Sequence, residues 1–168
     1  MDQMKDFFTR SKWSKVDLFA AVAATGFLIW AVSPKLFPAS QFIQLHEVRF
    51  GDSGVGETIP LHADRTVYQH TGRAYYEVDV LSANTGFREC YAKRHVPYAV
   101  NKRAVLPDRR EITGKSLKWW AYSDDGECQR WKSHAGRFYV KTRHCWKRFW
   151  WARTSCNPWH ISKPFEVS

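Results

Sequence analysis

Between positions 137 and 153 the chain carries six cations, Arg137, Lys141, Arg143, Lys147, Arg148 and Arg153, and no acid. They are set among Phe138, Tyr139, Trp146, Phe149, Trp150 and Trp151. Cations beside large π faces attract anions by charge and planar groups by stacking. The chemistry this pattern suits is noncovalent contact with an anionic polymer, a lipid headgroup or a partner protein. Alternation from Arg137 to Trp146 puts Phe138, Val140 and Thr142 on one strand face and Tyr139, Lys141, Arg143 and Cys145 on the other. Lys141 and Arg143, outward beside Tyr139, are the first binding candidates, with Arg148 and Trp151 next. Trp146, Phe149 and Trp150 recur at helical spacing, so 147–153 stays open between helix and strand. The competing reading is an aromatic core under a merely solvated basic face.

The same asymmetry runs through the whole chain. Residues 38–87 hold 3 Lys/Arg against 6 Asp/Glu, whereas residues 88–168 hold 18 against 7. The basic half is the side on which an anionic partner is expected.

Covalent chemistry finds less support. Gly51-Asp52-Ser53-Gly54 is similar to the nucleophile motif of trypsin-like serine proteases, but the resemblance ends there. Val55 stands where a second glycine belongs, His46 is the only histidine upstream, and the chain is too short for that family's double barrel. Ser53 reads as a turn residue. The glycines with Gly56 form neither a phosphate loop nor a dinucleotide fingerprint. The seven histidines include no i, i+4 pair, and Asp124-Asp125 reads as a turn. No catalytic residue, cofactor or metal is expected, although an envelope glycan hydrolase with two facing acids remains an alternative.

Cysteine use sets the compartment. Cys90, Cys128, Cys145 and Cys156 all follow the apolar run, and an even count outside the cytoplasm reads as two disulfides. Cys145 shares the charged face, and only ten residues separate it from Cys156, so the expected pairs are Cys145–Cys156 and Cys90–Cys128.

The element that would position all of this is Leu18 to Val32, LFAAVAATGFLIWAV, fifteen residues without a charge. Extended to Val16 and Phe37, it reaches about 33 Å at 1.5 Å per residue, enough for a hydrocarbon core of about 30 Å. Ser14 and Asp17 have capping spacing, and Trp13 and Trp30 stand near the two ends. Lys5, Arg10, Lys12 and Lys15 precede the span and keep the N-terminus in the cytoplasm. A cleaved signal peptide is the rival reading, but Ala31-Val32-Ser33 runs into Pro34, a poor cleavage site. Ala20 and Ala24 have small-xxx-small spacing, which permits self-association.

The expected organisation is a basic tail (1–15), a transmembrane signal anchor (16–37), a tether (38–45) and an exported domain (46–168). The fold class is mainly β, a small antiparallel sandwich or barrel-like domain. Its strands are read at Arg73–Val80, His46–Phe50, Thr66–Tyr68, Phe87–Ala92, Pro97–Val100, Leu117–Tyr122 and Arg137–Thr142. Residues 101–116 read as a long basic loop. In outline this is similar to envelope proteins of bacteria and their phages, and the expected function, read from the span, the cysteines and the basic aromatic segment, is a single-pass, non-enzymatic binding or assembly component of a cell or phage-modified envelope. A purely structural subunit of a membrane complex is the remaining alternative.

Overall fold

A computed structural model describes residues 15–69, 73–95, 106–123 and 126–168. The tail with Ser14, the strand expected at 97–100, part of the 101–116 segment and the Asp124-Asp125 turn lie outside the described residues.

Helix α1 spans Lys15–Leu36 and is long and apolar enough to cross a membrane. Its side chains are exposed almost throughout, Ser33 being its one buried residue. Pro34 sits in the last turn and has no N–H to give the Trp30 carbonyl. The Ser33 hydroxyl donates to that carbonyl instead, at 2.8 Å.

The rest is mainly β, in antiparallel sheets. Strands β1 (Ile43–Phe50), β2 (Pro60–Val67) and β5 (Asp108–Ser116) form a three-stranded sheet in the order β1-β2-β5. Strands β3 (Ala74–Ser82), β4 (Arg88–His95) and β6 (Gly136–Trp146) form the larger sheet in the order β4-β3-β6. Three short strands, β7 (Ser155–Cys156), β8 (His160–Ile161) and β9 (Phe165–Val167), line the far edge of β6. The sheets do not close, so the fold is an open sandwich rather than a barrel. Inner faces meet through Val48, Phe50, Leu61 and Ala63 on one side and Tyr76, Val78, Val80, Phe138 and Val140 on the other. Gly86 (φ 71°) closes the β3–β4 hairpin in the left-handed conformation that only glycine adopts cheaply.

Three expectations need correction. Residues 38–45 are not a tether: Ala39, Phe42 and Ile43 are buried, and Phe42 stacks on Trp146 at 5.2 Å, so the chain enters the core directly from the helix. Leu117–Tyr122 is not a strand. Ser116 accepts a hydrogen bond from the Trp119 N–H at 3.2 Å and caps a one-turn helix α2, Leu117–Trp120, that buries Leu117 and Trp120. Finally, the basic segment before it is not all loop. Asp108–Ser116 is an edge strand with both faces largely in solvent, held by pairing with β2 and by the Arg109–Asp64 ion pair. With no face buried it has no hydrophobic period to read.

The disulfides are Cys90–Cys128, tying β4 to the short helix α3 (Glu127–Arg130), and Cys145–Cys156, across the β6–β7 pair.

Candidate functional site

Strand β3 lies between β4 and β6, so its outward side chains meet cations from both neighbours. Glu77 is opposite Lys93 on one side and Arg143 on the other, and Asp79 is opposite Tyr91 and Lys141. The Arg143 Nε donates to Glu77 at 2.6 Å and the Tyr91 hydroxyl donates to the same carboxylate at 3.0 Å. Arg88 pairs with Asp79 at 2.7 Å. The Glu77 side chain is only 10% exposed beneath Arg143, which is itself 32% exposed. Burial, followed by the bond to Glu77, pushes the Tyr91 hydroxyl up to about 12, so it stays a donor at any physiological pH.

Rings are laid under the cations of this face. Lys93 lies 4.2 Å from the Tyr75 ring, Arg143 4.3 Å from Trp159, Arg88 5.2 Å from Tyr91 and Lys141 5.7 Å from Tyr139. Four cations thus stand over two carboxylates, an ordered array that keeps a positive excess. At one end Arg143 and Trp159 wall a cleft of about 360 Å³ that also touches Gln44, Asn157 and His160.

The fold divides the five binding candidates. Tyr139, Lys141 and Arg143 belong to the sheet face. Arg148 and Trp151 lie in the irregular turn of residues 147–154, which is neither helix nor strand and packs against the end of α1. There Arg148 is 5.3 Å from the Phe37 ring and 5.6 Å from Phe149, and Phe149 stacks on Trp151 at 5.3 Å. The acid missing from residues 137–153 is supplied for Arg143 by another strand, as Glu77 of β3. Sequence reasoning missed Glu77, Asp79, Arg88, Lys93 and Trp159 as members of the face. The alternation of Tyr75, Glu77 and Asp79 on β3 signalled their common side, but not which strand would lie beside them.

The remaining chemical candidates have structural partners. Ser53 bridges to Val167, exchanging backbone hydrogen bonds with Glu166 (3.0 Å) and Ser168 (3.1 Å). His46 bonds to Thr66 at 2.8 Å, and His160 accepts from the Val48 N–H at 3.2 Å. His144 is fully buried between Tyr76 and Trp120, and burial, with Arg65 nearby, holds its imidazole down to about 3. Among the described residues no three His, Cys, Asp or Glu side chains come together in a way that could hold a metal ion. Glu77 and Asp79 are one strand repeat apart, about 7 Å, but arginine covers each.

The chain matches no protein-family model and no curated protein. Helix α1 carries the remaining candidate pair. Ala20 and Ala24 are both exposed on that helix, and a stripe of small residues by itself names no partner.

Proposed function

We propose that the protein is a single-pass membrane protein whose β-sandwich works outside the cytoplasm as a non-enzymatic binding or assembly component. The outer face of the larger sheet is its contact surface for an anionic component of the envelope. The observation that carries this reading is the row of cations held over rings by β3, β4 and β6. Lysines 93 and 141 form no ion pair there among the described residues and are free to engage a ligand. The exposed apolar helix at the N-terminal side and the two disulfides support an anchor facing an oxidising compartment. Preordered rings and charges lose little side-chain freedom on binding, which favours recognition of a repeating polyanion over catalysis.

The full chain in a nonionic detergent should bind a sulfated dextran and not neutral dextran, with affinity falling as salt rises past physiological strength, where screening acts over about 8 Å. The Lys93→Ser/Lys141→Ser double variant should bind the polyanion several-fold more weakly, at about 0.5–1 kcal/mol per exposed charge, with an unchanged melting temperature. Equal binding by parent and variant at low salt would reduce the face to a solvated surface.

A further inference from the structure

The turn of residues 147–154 is bolted to the end of α1. The Arg153 N–H donates to the Ser33 hydroxyl at 2.9 Å. The Ser155 hydroxyl donates to the Pro34 carbonyl at 3.3 Å and accepts from the Ala39 N–H at 3.1 Å. The indole N–H of Trp146 donates to the Phe37 carbonyl at 3.2 Å. The Phe37 and Phe149 rings meet edge to face at 5.4 Å, and the Arg153 guanidinium lies 5.0 Å from the Trp30 ring. Ser33, the one buried residue of α1, is buried by these contacts.

These bonds fix the height of the turn along the helix. Trp30 is six residues before Leu36, about 9 Å along the axis at 1.5 Å per residue. The turn therefore lies beside the last two turns of α1, not beyond its end. The uncharged run Leu18–Val32 covers only about 22 Å of a core of about 30 Å, so the span must draw on residues up to about Leu36. Whatever stands beside Trp30 to Phe37 is then at the boundary between acyl chains and headgroups.

The composition of the turn suits that depth. Trp150 is 76% exposed, with Phe149 at 38% and Trp151 at 37%, an apolar cluster that water would not favour. Arg148 and Arg153 flank it, over the Phe37 and Trp30 rings; Lys147 precedes it in the chain, and Lys35 lies in the last turn of α1. Indole rings favour the interfacial layer, while cations beside them reach lipid phosphates.

We infer that the Phe149-Trp150-Trp151 turn is a second membrane contact, a wedge that enters the headgroup layer of the outer leaflet beside the helix, with Arg148 and Arg153 bound to anionic lipid phosphates. This rests on α1 spanning the membrane. Helix and wedge together hold the sandwich at one orientation, so the sheet face is carried at a set tilt instead of swinging on a linker.

The test uses the full chain in nanodiscs of phosphatidylcholine with or without phosphatidylglycerol. The lipids are brominated either near the glycerol end of the acyl chain or near the midplane. Subtracting the emission of the Trp150→Phe variant from that of the parent isolates the signal of Trp150, and Trp30→Phe does the same for the helix. Trp150 should be strongly quenched by the shallow bromine, weakly by the deep one and weakly by aqueous acrylamide. Arg148→Gln/Arg153→Gln should reduce its shallow quenching in the anionic discs. Quenching of Trp30 but not Trp150 by lipid, with Trp150 open to acrylamide, would overturn the wedge and leave the anchor standing. Shielding of Trp150 from both quenchers would also overturn it, in favour of a protein neighbour or a second copy of the chain. Failure of lipid to quench Trp30 would remove the spanning helix and the wedge with it.

Discussion

Replacing Arg143 by Ser takes the cation away from a carboxylate that has little water. Glu77 keeps the Tyr91 hydroxyl at 3.0 Å but loses a charge-assisted bond of 2.6 Å, and its side chain is 10% exposed. Stranding one charge of a buried pair costs about 3–5 kcal/mol, whereas an exposed pair is worth about 0–1 kcal/mol. Arg143 is 32% exposed, so water can enter the space it leaves and the loss falls between those limits. The expected cost is about 1.5–3 kcal/mol. For a β domain of this size that lowers the melting temperature by about 5–12 °C. Thermal unfolding of the full chain in detergent, followed by tryptophan emission, gives the number directly. Glu77→Gln in the same chain removes the stranded charge, so the Arg143→Ser/Glu77→Gln double variant should recover most of the loss. A single variant within about 0.5 kcal/mol of the parent, the range of surface substitutions, would refute the reasoning, as would a double variant no better than the single. The same numbers explain why Lys93 and Lys141, and not Arg143, are the positions at which binding can be tested without disturbing the fold.

Two further outcomes are expected. Burial holds His144 neutral down to about 3, while the unfolded chain takes up a proton near 6.5, so between those values the unfolded state binds the extra proton. Stability should fall as pH drops below about 6.5, by up to about 1.4 kcal/mol per unit from this group. Urea titrations of His144→Gln between neutral and mildly acid pH should show a shallower slope; an identical slope would assign the acid sensitivity elsewhere. Cys145→Ser/Cys156→Ser should cost about 2–4 kcal/mol and speed amide exchange at Arg153, since that bridge closes the strand pair next to Ser155. Unchanged exchange there would mean the helix contacts hold the turn without it.

What could be read locally in the sequence was whatever a single segment decides for itself. The run from Leu18 to Val32 satisfies its backbone internally as a helix, and its apolar surface is a property of composition, so the N-terminal element was legible without a partner. Tyr76, Val78 and Val80 alternate with Tyr75, Glu77 and Asp79, and Phe138, Val140 and Thr142 with Tyr139, Lys141 and Arg143. Packing of one face against the core, with the other lined by charged and aromatic side chains, writes that period into both strands. The 38–45 segment was misread because its polar and proline residues resemble a linker, while the burial of Phe42 depends on Trp146, about a hundred positions away. Strand β5 was misread because an edge with two wet faces carries no period at all. The acid beside Arg143 and the helix beside Arg153 belong to the tertiary structure alone. Cross-strand neighbours are set by register and long-range hydrogen bonds, such as Arg153 to Ser33 across 120 residues, and local spacing cannot encode the partner on another strand.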